Sequence, residues 1–225
     1  MHERLIKPIA IIKTDFTDKF GIPRQSGRAP SLLGKIIFEK EFRNGEGLKC
    51  IEEFSHLWLI FGFSEAIKDS FSPTVRPPRL GGNKRVGVFA SRSPFRPNSL
   101  GLSSVKLEKI EKTEDGVVLT VSGADLLDGT PIYDIKPYLP FTDCHTDAKG
   151  GYADNTADYK LDVVIPDEFS KLLGDKLTPL IECLADDPRP SYQEDGREYG
   201  MKFAEFEIKF TVSGKTLTVL SVTNK

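Results

Sequence analysis

Residues His56–Phe63 read HLWLIFGF, an apolar run that ends at the polar pair Ser64 and Glu65. A short run that is apolar at both odd and even positions is typical of a strand buried on both faces. We therefore predict a central strand here. Its one histidine, His56, is expected to be a core residue whose ring nitrogens are satisfied by neighbours.

Other short strand candidates lie on both sides of this run, separated by loops that contain proline and glycine. The turn at Glu114-Asp115-Gly116 is typical of a hairpin. Many short strands with such punctuation indicate a mostly β fold, either a barrel or a sandwich. The candidates are Leu5–Ile12, Leu33–Phe38, Val86–Ala90, Leu100–Ile110, Gly116–Ser122 and Thr130–Ile135.

The character of the chain changes after Phe141. Thr142–Asp158 is polar and contains glycines, which predicts a linker or an exposed loop. Apolar residues at helical spacing then predict one helix from Pro166 through Leu184. Two strands, Lys202–Val212 and Leu217–Val222, are expected to flank a turn at Ser213-Gly214-Lys215. We predict two domains, 1–146 and a small α+β domain 147–225.

Several classes of protein are disfavoured by composition and missing motifs. The chain has 225 residues and three widely separated cysteines without a CxxC pair, which predicts a reducing compartment and no disulfide framework. No run of about 18 apolar residues and no signal peptide is seen, so a cytoplasmic protein without membrane contact is expected. Phosphate-binding glycine loops, HExxH and GxSxG are absent from the sequence, and no metal is expected.

Positive charge is concentrated in one stretch of the chain. Residues Ser70 to Leu107 contain no aspartate or glutamate but hold seven of the 31 basic residues, although the whole chain carries a net charge of -2. Such a patch predicts an anionic partner, because guanidinium groups match phosphates. The alternative is that these side chains pair with carboxylates from elsewhere in the fold. The seven are Arg76, Arg79, Lys84, Arg85, Arg92, Arg96 and Lys106.

Three segments combine polar side chains with prolines that stiffen the backbone. They are Ser91–Gly101 (SRSPFRPNSLG), Thr74–Gly82 (TVRPPRLGG) and Asp125–Pro140 (DLLDGTPIYDIKPYLP). A rigid polar loop suits a binding site, because little ordering entropy is lost when a ligand binds. These residues by themselves predict a ligand site with a cationic rim.

These same segments resemble the TsaA-like family, and within it the TrmO-type tRNA methyltransferases. Further matching stretches include Pro23-Arg24-Gln25, FSHLW at Phe54–Trp58 and Asp187-Pro188-Arg189-Pro190, so the resemblance spans nearly the whole chain in order. It implies a single-sheeted antiparallel β-barrel, a homodimer, and S-adenosyl-L-methionine held near the subunit interface without a metal. It also implies N6-methylation of threonylcarbamoyladenosine next to the anticodon of threonine tRNA.

The resemblance also implies where each ligand is held. Cofactor-binding positions are expected at Pro23, Arg24, Gln25, Ser26, Phe63, Ser64, Glu65, Arg92, Leu102, Ser122, Gly123, Ala124 and Asp125. Contacts to the anticodon arm are expected from Arg76, Arg79, Lys84, Arg85, Arg96, Lys136, Tyr138 and Arg189. Bases in the anticodon loop are expected to stack on Phe95, Tyr133 or Tyr138.

Methylation of a carbamoylated N6 requires that its proton be lost near the transition state, so an acceptor should assist. We assign this part to Asp134, or secondarily to Asp125, because both lie in or beside the DGTPIYDIKPY turn. Either aspartate could instead bond its own backbone in a turn. Two other functions stay open: a non-catalytic tRNA- or nucleotide-binding module, and a methyltransferase for another small acceptor.

Overall fold

The computed structural model describes residues 4–66, 70–77, 80, 84–114, 116–189 and 195–224. Six of its strands form a closed barrel in the order β1-β2-β7-β6-β3-β8, and every neighbouring pair is antiparallel. The predicted mostly β, single-sheeted barrel is confirmed. The barrel strands are β1 (Ala10–Lys13), β2 (Leu33–Phe38), β3 (His56–Gly62), β6 (Leu100–Thr113), β7 (Gly116–Ser122) and β8 (Thr130–Pro137).

Side chains that alternate inward along these strands fill the barrel. In β3, Leu57 and Leu59 are fully buried and Phe61 nearly so, whereas Trp58 and Ile60 point outward and are half-buried. The prediction that β3 is buried on both faces is therefore wrong, because the described residues leave Trp58 and Ile60 only half-covered on the outer face of β3. His56 lies on that outer face and is not a core residue. The first strand is also shorter than predicted, since Leu5 and Ile6 are exposed.

Along the chain, the connection from β3 to β6 contains a short two-stranded ribbon of β4 (Thr74–Val75) and β5 (Val86–Gly87). A 3₁₀ turn at Val88–Ala90 follows β5, so the predicted strand Val86–Ala90 continues for only two residues. At the other end of the barrel, 3₁₀ turns at Lys40–Phe42, Glu46–Leu48 and Ile51–Glu53 link β2 to β3. After β8 come the short helix α1 (Pro140–Asp143) and a 3₁₀ segment at Gly151–Thr156.

The C-terminal part is a four-stranded sheet packed against helices, as expected for a small α+β unit. Its sheet order is β10-β11-β12-β9, formed by β9 (Asp162–Val164), β10 (Glu198–Phe203), β11 (Phe206–Ser213) and β12 (Thr216–Asn224). The predicted single helix is two, α2 (Asp167–Leu173) and α3 (Leu177–Ala185), joined by a 3₁₀ turn at Gly174–Lys176. Gly174 ends α2 with φ near +53°, which most side chains disfavour.

The long β1–β2 connection joins the two parts of the molecule. Phe16, Ala29 and Leu32 from this connection are buried in the same apolar cluster as α3 and the C-terminal sheet. The ring of Phe16 meets that of Phe203 edge-on at 5.5 Å. The loop that leaves the barrel after β1 is thus part of the C-terminal core. The exact boundary at 146/147 stays a prediction.

Candidate active site

Three long connections leave the barrel at one end: β1 to β2, β3 to β6, and β7 to β8. Antiparallel pairing requires this, since the end of one strand lies beside the start of the next. Leu33 at the start of β2 pairs with Ser122 at the end of β7, and Gly62 at the end of β3 pairs with Leu100 at the start of β6. Most of the predicted cofactor residues therefore converge on this end.

Asp125 lies where the β1–β2 and β7–β8 connections meet strand β6. Ser103 Oγ donates to its Oδ1 at 2.6 Å, and the backbone N–H of Ser26 donates to the same carboxylate. Burial raises the pKa of Asp125 above its ordinary value, and the Ser103 hydrogen bond and the nearby Arg92 charge oppose that rise only in part. A carboxylate with a raised pKa is a better proton acceptor than an exposed one.

The loop around Gln25 connects to Arg92 and to the β7 end. Arg92 Nη1 donates to Gln25 Oε1 at 2.5 Å, and Gln25 Nε2 donates to the carbonyl of Arg24 at 2.5 Å. Gly27 N donates to the carbonyl of Gly123 at 2.9 Å. Gly123 has φ near +75°, and a Cβ there would lie 3.3 Å from Gly27 Cα. The two backbones thus approach closely, which holds Ser26 beside Asp125.

A groove of about 380 Å³ opens beside the contact between Gly27 and Gly123. Within it, Ser122 Oγ donates to Glu108 Oε1 at 2.7 Å, and Lys106 Nζ lies 2.9 Å from the same oxygen. These two donors lower the pKa of Glu108 below its ordinary value, the Ser122 hydrogen bond contributing most. The groove is lined by Ser26, Gly27, Pro30, His56, Ser104, Lys106, Glu108, Ser122 and Gly123.

The remaining predicted cofactor residues do not line the groove. Pro23 and Ala124 are buried. Phe63 continues β3 by donating its N–H to the Ser99 carbonyl at 2.8 Å, while Ser64 and Glu65 are exposed and Glu65 pairs with Lys19 at 3.1 Å. Leu102 is an exposed apolar residue on the outer face of β6.

Asp134 is in strand β8 and not in a turn. It lies opposite Ile60, whose other neighbour across the sheet is Leu102. Asp134 Oδ2 pairs with Lys136 Nζ at 2.9 Å and Oδ1 accepts from the N–H of Ile135 at 2.9 Å. The structure does not bring Asp134 into the Asp125 cluster, and a cation already neutralises it.

The predicted RNA-binding residues fall into two groups. Arg76, Lys84, Arg85 and Lys136 are exposed, and Tyr138 lies half-buried with its ring 5.5 Å from that of Trp58. Arg79 lies outside the described residues.

Arg96 and Arg189 are instead bound within the fold. Arg96 Nη1 donates to the carbonyls of Ser91 and Val88 at 2.7 and 3.1 Å. The buried Arg189 donates from Nε to Asp187 at 3.0 Å and also lies near Asp195. We therefore leave Arg189 out of the RNA-binding set proposed below.

Comparison with known proteins agrees with this architecture. The family model of the tRNA-methyltransferase O N-terminal domain matches residues 11–144, and that of the TrmO C-terminal domain matches residues 161–225. The chain belongs to the tRNA-methyltransferase O family. Its barrel is thus the family's N-terminal domain and its α+β part the family's C-terminal domain.

Three similar proteins match this family member over most of their length. The tRNA (adenine(37)-N6)-methyltransferase of Escherichia coli (strain K12) is 38% identical over 224 residues, 95% of each chain. A Pseudomonas aeruginosa protein named putative S-adenosylmethionine-dependent methyltransferase RcsF is 41% identical over 215 residues, 90% of each chain. The crystal structure of TrmO from P. aeruginosa superposes with a TM-score of 0.80 at 34% identity, covering 100% and 99% of the two chains.

The structure adds residues of this family member that its sequence did not single out. Asp186, at the end of α3, accepts from Arg24 N at 3.2 Å and from Arg28 Nε at 2.8 Å. Arg28 also donates to the carbonyls of Ala157 and Tyr159. No motif signals such a contact, because its partners lie about 160 residues apart. Ser103 was equally hidden, as one serine in an alternating strand.

Two broader features complete the description of the site. In the described part of the chain, no group of three or more His, Cys, Asp or Glu side chains is arranged to hold a metal ion. None of the described helices has the length and apolarity needed to span a membrane.

Proposed function

We propose that this chain transfers a methyl group from S-adenosyl-L-methionine to N6 of threonylcarbamoyladenosine, next to the anticodon of threonine tRNA. The observation that carries the proposal is the convergence of Gln25, Ser26, Arg92 and Ser122–Asp125 on one barrel end. The names of its family relatives supply the reaction class, tRNA adenine N6-methylation with this cofactor.

The residues present suit the cofactor. A groove of about 380 Å³ falls in the range of small-molecule sites. On its wall Lys106 and Glu108 form an ion pair with each other. A bound amino-acid moiety would exchange that pair for its own carboxylate on Lys106 and its own ammonium on Glu108. Gly27 and Gly123 leave the wall free of side chains where their backbones meet. When bound, S-adenosyl-L-methionine supplies an electrophilic methyl group on a sulfonium.

The protein's own part is to bind, to orient and to accept a proton. Fixing the nucleophile against the methyl donor accounts for much of such a rate enhancement. We assign proton acceptance to Asp125 ahead of Asp134, because burial raises the pKa of Asp125 and Ser103 holds its carboxylate in place. Asp134 is paired with Lys136 and stands on the outer face.

We also propose a homodimer formed through the outer face of β3, β6 and β8. Trp58 and Ile60 are only half-covered there, and Leu102 is exposed. Ile60 and Leu102 are direct neighbours across the sheet, and adjoining apolar side chains that are incompletely covered mark an interaction site. A partner on this face would place Leu102 at the interface and close to the cofactor groove. The expected compartment is the cytoplasm, where tRNA is modified.

The anticodon arm is proposed to bind the exposed cations of residues 70–107. Arg76, Lys84 and Arg85 are exposed on or next to the β4–β5 ribbon, and phosphate contacts of this kind give salt-dependent affinity. Lys136 and Tyr138 lie elsewhere, at the end of β8 beside Trp58 and His56, so they are left out of this RNA-binding surface.

The test is nucleoside mass spectrometry on threonine tRNA, with and without threonylcarbamoylation, incubated with the protein and S-adenosyl-L-methionine. The expected result is one added methyl on threonylcarbamoyladenosine only when the cofactor is present, lost in Asp125→Asn and retained in Asp134→Asn. Methylation of a different nucleoside would replace the proposed acceptor. Binding of tRNA without any methylation would favour the non-catalytic binding module.

A further inference from the structure

Two phenylalanines on the β3–β6 connection expose their rings side by side. Phe71 and Phe89 stack with ring centroids 6.4 Å apart and planes 28° from parallel. Their exposed fractions are 57% and 74%. Single exposed apolar residues are common on protein surfaces, but a stacked exposed aromatic pair is a feature that usually contacts a ligand or partner.

The backbone that carries Phe89 is held firmly from several sides. Its neighbour Val88 is buried, and Val88 N donates to the Pro73 carbonyl at 3.0 Å. Arg96 Nη1 and Ser91 Oγ both donate to the Val88 carbonyl. On the other side, Tyr152 Oη donates to the Ala90 carbonyl at 3.1 Å. These contacts fix the backbone position of Phe89, although its ring is exposed to solvent.

The surroundings of the pair are positively charged. The Arg96 guanidinium carbon lies 5.9 Å from the centroid of the Phe89 ring. Arg76 and Arg85 extend from the β4–β5 ribbon beside it, and both are exposed. The sequence from Ser70 to Leu107 contains no carboxylate side chain. A flat apolar surface among cations complements a ligand that combines flat rings with phosphates.

The pair is also close to the candidate active site. Phe89 precedes Arg92 by three residues, a span of at most about 10 Å of extended chain. Arg92 in turn bonds Gln25 in the cofactor loop. A base on the aromatic pair would therefore neighbour the base that undergoes methylation.

We propose that Phe71 and Phe89 form a stacking platform for an unpaired base of the tRNA anticodon loop, flanking the methylated nucleotide. This inference rests on the proposed function. Stacking on an aromatic side chain is tolerant of base identity. The platform therefore supplies affinity and position, while the active site selects the modified adenosine.

The experiment measures the Kd of the full-length protein for a fluorescent anticodon stem-loop, across a series of salt concentrations. Phe89→Ala and Phe71→Ala should each weaken binding by about 5- to 150-fold, the effect of removing one stacking ring. The salt slope and the cofactor Kd should not change, because the ring carries no charge. Phe141→Ala is the matched control, since Phe141 is a ring 87% exposed elsewhere on the chain.

Two further variants separate stacking from a general apolar contact. Phe89→Trp keeps a flat ring and should bind RNA like the parent, whereas Phe89→Leu keeps apolar area and should bind like Phe89→Ala. Equal RNA affinity for Phe89→Ala and the parent would overturn the platform. So would a change of oligomeric state in Phe89→Ala with unchanged RNA affinity, because the pair would then be a contact between copies. RNA binding is read without turnover, so failure of the proposed methylation is distinguishable from either result.

Discussion

Replacing Asp186 by asparagine should loosen the cofactor loop without deleting any bulk. Asp186 is 3% exposed and uses its two oxygens separately, Oδ1 for Arg28 Nε and Oδ2 for Arg24 N. Asparagine has one oxygen, so one of these donors would face an NH₂ group. An unsatisfied buried donor costs about 1–3 kcal/mol. The lost charge on the Arg28 bond adds to this cost.

We expect a total loss of about 2–3 kcal/mol, below the roughly 3–5 kcal/mol for a fully buried pair broken on one side. The lower figure follows because the Arg28 side chain is 21% exposed and keeps the carbonyls of Ala157 and Tyr159 as acceptors. In a chain of this length the loss corresponds to a decrease in Tm of roughly 4–12 °C.

The assay pairs thermal unfolding with calorimetric titration of S-adenosyl-L-methionine. Because Arg24 precedes Gln25 and Ser26, a less ordered loop should raise the cofactor Kd by about tenfold, which corresponds to about 1.4 kcal/mol of binding free energy. Asp175→Asn serves as the control, since Asp175 is an exposed carboxylate in the same part of the chain. A Tm for Asp186→Asn equal to that of the control would refute the energetic argument. A lowered Tm with an unchanged cofactor Kd would show that the loop does not depend on this anchor.

Two other predictions follow from the charges of the site. Burial raises the pKa of Asp125, so its carboxyl stabilises the fold below its unfolded pKa, and that contribution is lost as pH rises through the folded pKa. Melting curves from about pH 3 to pH 7 should therefore show that the Tm of Asp125→Asn increases relative to the Tm of the parent as pH rises. A Tm difference that does not change with pH would contradict the raised pKa. Arg76→Ala should weaken tRNA binding and reduce the salt slope by about one unit, leaving the cofactor Kd unchanged. An unaltered slope would place Arg76 outside the phosphate contacts.

The individual strands of the barrel were predictable because their signals are local, whereas the strand pattern alone fits a barrel or a sandwich and only the family resemblance implied the barrel. Alternation in β6 and the turn before Gly116 identify the hairpin directly, and β3 is evident from its apolar run. The predictions were wrong where one local sequence pattern is compatible with two different structures. Apolar spacing from Phe169 to Leu184 fits one helix, yet Gly174 divides it in two. The apolar outer residues of β3 suggested a buried face, but the described residues cover Trp58 and Ile60 only in part.

The site was predictable only in part, for a different physical reason. Resemblance located Gln25, Arg92 and Asp125, and the structure brings these three together. The sequence shows that Asp134 and Arg189 lie beside matching motifs. It does not show that Asp134 forms an ion pair with Lys136, or that Arg189 forms one with Asp187. Sequence proximity to a motif does not reveal which face of a strand a carboxylate occupies or which ion pair it has already formed.

The location of the β1–β2 connection explains why the two domains should act as one unit. Phe16 near its start and Ala29 and Leu32 near its end are buried in the C-terminal core, while its Gly27 bonds the barrel through Gly123. Ser31 adds two bonds from its N–H and hydroxyl to Glu182 of α3. Opening either core therefore removes one support of the segment that holds Gln25 and Ser26. Because the candidate cofactor residues lie between two cores, their order depends on both, and a barrel separated from its C-terminal part would keep its strands while losing a defined site.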